Sequence, residues 1–269
     1  MLYAAEKLGN YHLCGFHKLV PCMKENEGRI YDCAVLPPQK SSDGVNIPCP
    51  YSDILMPYSI LGKLITKGGT VFTGNICEAL EKVCDENGFR IANYLEQEEL
   101  ALRNAVLTAE GAVAIAVNES PFSVYGTSIL ITGFGRIAEV LSDYIVAMGG
   151  KVTVACRRPS ARSKAEWYGC RAVDITDKEA FCRAVSEASV IFNTVPSGIF
   201  GYRETAAMKN DTLYIELASL DGICGEIPSG IKYIAARGLP GKFSPATAGE
   251  IIADAVTAML GERRKAYEN

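Results

Sequence analysis

The residues of this chain best placed to do chemistry begin with two glycines, Gly133 and Gly135. They follow a β-branched apolar run, Ser128-Ile-Leu-Ile-Thr132, and open a stretch whose apolar residues recur at helical spacing: Ile137, Val140, Leu141, Tyr144, Ile145 and Met148. A second apolar run, Lys151-Val-Thr-Val-Ala155, completes a strand–helix–strand unit. In such a unit the first glycine permits a tight turn and the second lets the backbone approach a pyrophosphate. A small third residue, here Ala138, lets the helix pack closely on the strand. The helix N-terminus receives the phosphate charge, which makes Gly133, Phe134, Gly135, Arg136 and Ile137 a candidate dinucleotide-binding turn. The alternative is a packed crossover that binds nothing.

Which dinucleotide is read about 20 positions further on, at the end of the second strand, where NAD-binding units carry an acidic residue for the ribose hydroxyls. Here the sequence is Ala155-Cys156-Arg157-Arg158-Pro159-Ser160, with no carboxylate. Two guanidinium groups, Arg157 and Arg158, suit bidentate pairing with a 2′-phosphate, which favours NADP over NAD. The alternative for both is capping of a strand end in water.

Ligands of open α/β sheets lie beyond the carboxyl ends of the strands. Those ends supply Asn193 and Thr194 for a nicotinamide ribose and carboxamide, Pro196 to hold the turn near the ring, and Ala218 and Ser219 one strand over. Turn chemistry alone also accounts for such residues. Lys242 follows Leu239-Pro-Gly241, read as a rigid turn, and suits a substrate carboxylate; a solvated surface lysine is the competing reading. In the first half, strand ends supply Pro37, Pro38, Thr73, Gly74 and Asn75, expected to face the nicotinamide across a cleft. The only histidines are His12 and His17. Ordinary oxidation of a 2-hydroxy acid, which needs an imidazole near the nicotinamide, is thereby disfavoured.

The elements that must position these groups alternate in type. Apolar runs at Tyr31–Leu36 and Gly69–Thr73, with helical patterns over Tyr58–Ile65 and Glu78–Asn87, predict a small α/β domain with a parallel sheet over about residues 1–105. A proline-rich loop spans Pro37 to Pro57. The spacing predicts a connecting helix within 106–122, from Thr108 as N-cap to Ser120, rich enough in Ala and Gly for close packing. Further strands at Cys170–Asp174, Val190–Asn193, Leu213–Ala218 and Lys232–Ala235 extend the dinucleotide unit over 123–243 into a doubly wound sheet. The last helix, 244–269, opens at Ser244-Pro245 and carries the stripe Ala248, Ile251, Ile252, Ala255, Val256, Met259 and Leu260, which demands a buried face.

A net charge of −4 over 269 residues argues against nucleic acid or an anionic membrane as main partner. None of the ten cysteines forms a Cys-x-x-Cys pair, so no metal site is expected, and scattered thiols point to a reducing cytoplasm. The sequence shows no signal-peptide pattern and no apolar run read as long enough to span a bilayer.

With these residues in place the chain resembles the A subunit of dipicolinate synthase. The matching segments are Thr108-Ala-Glu-Gly-Ala112, Gly133-Phe-Gly-Arg136, Arg157-Arg158, Asn193-Thr-Val-Pro196 and Leu217-Ala-Ser219. The most particular are Gly238-Leu-Pro-Gly-Lys242, Pro245, Thr247-Ala-Gly-Glu-Ile251 and Ala253, and the resemblance runs from about residue 28 onwards. It implies a two-domain α/β fold: a C-terminal doubly wound Rossmann domain, a smaller N-terminal flavodoxin-like domain lacking its usual first strand, and a last helix packing back onto the first domain.

The resemblance also implies NADP-dependent oxidation of dihydrodipicolinate, or its hydroxytetrahydro precursor, to dipicolinate in the mother-cell cytoplasm of a sporulating bacterium. The implied partner is the flavoprotein B subunit of the same synthase, which holds the FMN; a homo-oligomer is a further assembly compatible with it. A dicarboxylate substrate needs cationic or amide donors, for which the sequence offers Lys242, the amides around Thr73-Gly74-Asn75, and the hydroxyls of Ser197, Ser219 and Thr247. Two features depart from the family: the chain begins in what resembles the first helix, and Leu220-Asp221-Gly222 stands where relatives carry a Pro-Gly-Gly-like turn. A stand-alone D-2-hydroxyacid-type dehydrogenase and a non-catalytic nucleotide-binding scaffold are the competing readings.

Overall fold

A computed structural model describes residues 16–17, 20–21, 30–48 and 55–267. The start of the chain, on which the expected loss of a first strand rests, lies outside the described residues. The chain divides into two compact units, Met1–Arg103 with Pro245–Asn269, and Asn104–Ser244.

In the first unit, β1 (Phe16–His17) pairs antiparallel with β2 (Val20–Pro21). A parallel three-stranded sheet has the order β3 (Tyr31–Val35), β4 (Ile65–Thr73), β5 (Arg90–Asn93). The helical pattern expected over Tyr58–Ile65 is a 3-10 turn, Tyr58–Ile60, running into one α turn, α1 (Leu61–Leu64); Ile65 already belongs to β4. β4 therefore begins four residues before the run visible in the sequence, because Thr66-Lys-Gly-Gly69 carries no strand signature. Gly69 is needed there: a Cβ would lie 2.8 Å from the carbonyl oxygens of Asp32 and Thr66. Helix α2 (Glu78–Asn87) buries Leu80, Val83 and Cys84, and ends on Gly88 in the left-handed region, φ 67°. These side chains pack with Leu36, Tyr58, Leu61, Ile65, Val71 and Phe89 into the unit's core.

Helix α3 (Glu98–Glu119) begins ten residues before the expected Thr108 cap. Thr108 is interior to it, and its hydroxyl donates to the Asn104 carbonyl one turn back, 2.8 Å. With 22 residues and a window of mean hydropathy 1.5, α3 is long and apolar enough to cross a bilayer by length and composition. That corrects the reading that no run is long enough. Its Ala109, Ala112 and Ala116 are buried in the core of the second unit.

The second unit holds a six-stranded parallel sheet. Its strands are β6 (Ser128–Thr132), β7 (Lys151–Cys156), β8 (Arg171–Asp174), β9 (Val190–Asn193), β10 (Leu213–Glu216) and β11 (Lys232–Ala235). They lie in the order β11-β10-β9-β6-β7-β8. Helices α4 (Arg136–Ala147), α5 (Pro159–Trp167), α6 (Lys178–Glu187) and α7 (Tyr202–Ala206) follow β6, β7, β8 and β9, β10 leads to β11 without a helix, and α8 (Leu239–Phe243) follows β11. The inner strands β6, β9 and β10 are buried on both faces and read as continuous apolar runs in the sequence. One core includes Ile129, Ile131, Leu141, Val154 and Phe192, and the other Leu130, Ile191, Phe181, Phe200 and Tyr214. Leu239-Pro-Gly241, expected as a rigid turn, belongs to a short helix over Leu239–Phe243 entered through Gly238 at φ 68°. Gly111 lets α3 meet α8: a Cβ there would stand 3.0 Å from Leu239 Cβ and from Phe243 Cδ2.

Helix α9 (Pro245–Tyr267) is part of the first unit, where Arg103 Nη1 meets Asp254 Oδ2 at 2.7 Å. Its Ile251, Ile252, Ala255 and Val256 are buried, as the apolar stripe requires. Ile251→Ala should lower the unfolding free energy by about 2–4 kcal/mol, read as an earlier urea midpoint at unchanged slope; a change under about 0.5 kcal/mol would mean that the helix contributes little to the unit.

Candidate functional site

The order of the larger sheet makes β6 and β9 neighbours, with the chain wound outward from them in both directions. That reversal opens a crevice at the carboxyl ends of the strands, where open α/β sheets take their ligands. The turn after β6 lies there. Gly133 has φ 83°, and a Cβ on it would meet Thr194 Oγ1 at 2.7 Å, so conformation and packing both demand glycine. Phe134 is buried, its ring edge-on to Tyr168 with centroids 6.0 Å apart. Ala138 has no exposed surface and lets α4 approach the sheet.

Gly135 is the N-cap of α4, and no side chain caps the helix. The N-terminal turn of a helix concentrates backbone amides and partial positive charge, which attract an anion. A Cβ on Gly135 would meet nothing within 4 Å, so the backbone there faces open space. An uncapped helix end behind a bare glycine suits a pyrophosphate.

At the end of β7 the side chains of Arg157 and Arg158 are exposed, and Arg158 is the N-cap of α5. A third arginine, which the spacing does not single out, braces them. Arg162 Nη1 donates to the carbonyls of Cys156 and Arg157, at 3.2 and 2.6 Å, and pairs with Asp174 Oδ2 at 2.9 Å. Asp174, at the end of β8, also accepts from the Thr176 hydroxyl and amide, at 2.6 and 2.9 Å. The Thr176 donors chiefly, with Arg162, hold its carboxyl below the ordinary range. This carboxylate is committed within the protein, and none stands at the end of β7.

The ends of β9 and β10 differ from expectation. Asn193 is fully buried and its amide is already satisfied. Its Oδ1 accepts from the Thr132 hydroxyl and the Val195 amide, at 2.5 and 3.1 Å, while its Nδ2 donates to the Val195 carbonyl and to Glu216 Oε1, at 3.1 and 2.7 Å. Asn193 holds the turn and has no group left for a ribose. Thr194 donates its hydroxyl to the Thr132 carbonyl, 2.7 Å, and is half-buried. Pro196, Ser197 and Ser219 are exposed, whereas Ala218 is buried with its amide directed to Glu216 Oε1 at 3.0 Å and the Asn193 carbonyl at 3.1 Å.

Glu216 is a residue that the sequence reading misses. It has no exposed surface, and its carboxylate takes four donors: Asn193 Nδ2, the amides of Ala218 and Gly222 (the latter at 2.7 Å), and the Tyr214 hydroxyl at 3.2 Å. Burial pushes its carboxyl above the ordinary range, and the hydrogen bonds oppose that rise. The available signal is an acidic residue inside the apolar run Leu213-Tyr-Ile-Glu-Leu-Ala218. The loop beyond is fixed from its other side. Asp221 accepts from the Tyr233 hydroxyl at 3.0 Å and from Arg237 Nη2 at 2.7 Å. Burial and that carboxylate push the Tyr233 phenol up to about 12.

Lys242 is exposed in the short helix α8. In the first unit, Thr73 is buried and its hydroxyl donates to the Asn75 carbonyl at 2.7 Å and accepts from the Asn75 amide at 3.2 Å. Asn75 Nδ2 donates to the Pro38 carbonyl at 2.5 Å. Gly74 is packed so closely that a Cβ would lie 2.7 Å from Pro38 Cα. The Asn75 amide expected to meet a carboxylate is thus spent on the turn itself. Thr247 is exposed in the first turn of α9. Among the described residues, no three His, Cys, Asp or Glu side chains gather as a metal site.

No protein-family model matches the chain. Among curated proteins it is 26% identical over 195 residues to the A subunit of dipicolinate synthase from Bacillus subtilis, a match that covers 71% of this chain and 65% of that protein. Among solved structures it resembles the A subunit of dipicolinate synthase from Bacillus halodurans, with a TM-score of 0.84 and 23% identity over 96% of this chain and 93% of the other. A transhydrogenase from Sinorhizobium meliloti shares the fold more distantly, with a TM-score of 0.62 and 14% identity over 75% of this chain and 70% of the other. In sequence and in fold, the chain is therefore similar to the A subunit of dipicolinate synthase.

Proposed function

We propose that this chain is the nucleotide-binding subunit of a dipicolinate synthase, oxidising dihydrodipicolinate, or its hydroxytetrahydro precursor, with NADP. The observation that carries the reading is the uncapped N-terminus of α4 behind Gly133 and Gly135 at the β6–β9 crevice, in a chain similar in sequence to that protein. NADP, when bound, supplies a hydride acceptor. The first turn of α4 would hold the pyrophosphate, and Arg157 and Arg158 would take the 2′-phosphate, with Arg162 bracing the backbone that carries them. Oxidation of a dihydropyridine to the aromatic ring removes one hydride, which bound NADP would accept, and one proton, which would pass to solvent. Aromatisation drives the step, so no histidine is required beside the ring.

Lys242, Ser197 and Ser219, all exposed on the second unit, supply donors for the substrate carboxylates. Thr73 and Asn75 serve their own turn. On this reading the chain works with a flavoprotein partner carrying FMN, in the mother-cell cytoplasm of a sporulating bacterium.

The direct test mixes purified chain, NADP and dihydrodipicolinate, with and without the flavoprotein, and follows NADPH formation. Substrate-dependent NADPH in either mixture supports the proposal, and none in both overturns it. Replacing Arg157 and Arg158 together by Ser should weaken NADPH binding by about two orders of magnitude or more while leaving NADH nearly unchanged, since each charge-assisted hydrogen bond contributes about 1.5–3 kcal/mol. Equal NADPH affinity before and after would return the cofactor choice to NAD. Lys242→Ala should lower turnover at least about tenfold, or about 1.4 kcal/mol of transition-state stabilisation, with NADPH binding intact; unchanged turnover would make Lys242 a surface charge.

A further inference from the structure

We infer that Glu216 is the positioning residue for the nicotinamide half of the site, through the turn at Asn193–Val195 and the loop Ala218–Gly222. The inference rests on the dinucleotide reading and extends it. A doubly wound sheet consists of two mononucleotide-binding halves. In this chain the first half, β6-β7-β8, carries the phosphate determinants: the glycine turn, Arg157 and Arg158. The second half, β9-β10-β11, presents backbone turns at its carboxyl edge, and their shape must be set from beneath.

Among the described residues, Glu204 and Glu216 are the buried carboxylates, and only Glu216 has no exposure at all. Glu204 pairs with Lys178 at 3.7 Å, whereas the partners of Glu216 are neutral donors. A buried carboxylate is a costly way to fill a strand position that an apolar side chain would fill more stably. What it adds is direction. A carboxylate only accepts, so it fixes Asn193 with Nδ2 toward Glu216 and the Val195 carbonyl, and Oδ1 toward Thr132 and the Val195 amide. The same carboxylate takes the amides of Ala218 and Gly222, and so pins both ends of the next loop. Gly222 completes the device: a Cβ would lie 2.4 Å from Asn193 Nδ2 and 2.6 Å from the Tyr214 hydroxyl. The Leu220-Asp221-Gly222 segment thus keeps a glycine where the network demands one. A glutamine at 216 would turn an amide donor against at least one of these donors.

The test separates the two halves of the cofactor. Wild type, Glu216→Gln and Gly222→Ala are titrated calorimetrically, below their melting temperatures, with NADPH and with 2′,5′-ADP, which reaches only the adenosine half. Both variants should bind NADPH at least about tenfold more weakly while holding 2′,5′-ADP within about twofold of wild type. Equal weakening of both ligands, or no change in either, would overturn the inference and reduce Glu216 to a fold determinant. If Glu216→Gln does not fold, Gly222→Ala decides, because it displaces the same loop and leaves the carboxylate in place. A wild-type chain that binds neither ligand overturns the dinucleotide reading itself, and the inference with it.

Discussion

A carboxylate with no water to meet it must find every hydrogen-bond donor inside the protein, and Glu216 finds four. From that requirement follows much of the carboxyl edge of the larger sheet. Asn193 can satisfy Glu216 in one orientation only, which turns its oxygen to Thr132 on β6 and to the Val195 amide. Three strand exits, those of β6, β9 and β10, are thereby coupled through two side chains. An unsatisfied partner in such a network costs about 1–3 kcal/mol, and more where a charge is left behind, so the arrangement is held as a whole.

The neighbouring edge follows the opposite rule. At β6 and β7 the edge faces outward: α4 has no side-chain cap, Gly135 faces space, and Arg157 and Arg158 are exposed. Groups satisfied internally shape a site, and groups left open meet a ligand. By that division Asn193 belongs to the frame, and the first-turn amides of α4 to the contact surface. Within the first unit, Thr73, Gly74 and Asn75 fall on the frame side too, since their turn closes on itself and on Pro38.

Much of this fold is legible in the sequence where one physical signal dominates. The inner strands β6, β9 and β10 are buried on both faces and stand out as apolar runs, and the stripe on α9 announces its burial at Ile251 and Val256. Gly133 is legible because left-handed backbone at a strand exit leaves few alternatives. β5 is not, since Arg90-Ile-Ala-Asn93 has one buried side chain and no alternation to detect. The first turns of α3 are hidden because Glu98, Glu99 and Arg103 interrupt the apolar pattern before Thr108. Asn193 is visible but misleading, because its partner Glu216 lies 23 residues away and only the parallel pairing of β9 with β10 brings them together. Donor and acceptor budgets are tertiary facts, and strand-exit residues cannot be assigned without them.

The central claim is that the β6–β9 crevice holds NADP with its phosphates on the first half of the sheet. A crystal structure of the chain grown with NADP tests it most directly. The account predicts the pyrophosphate against the first-turn amides of α4 and the 2′-phosphate between Arg157 and Arg158. Nucleotide bound elsewhere on the chain, or a 2′-phosphate turned away from both arginines, would contradict it.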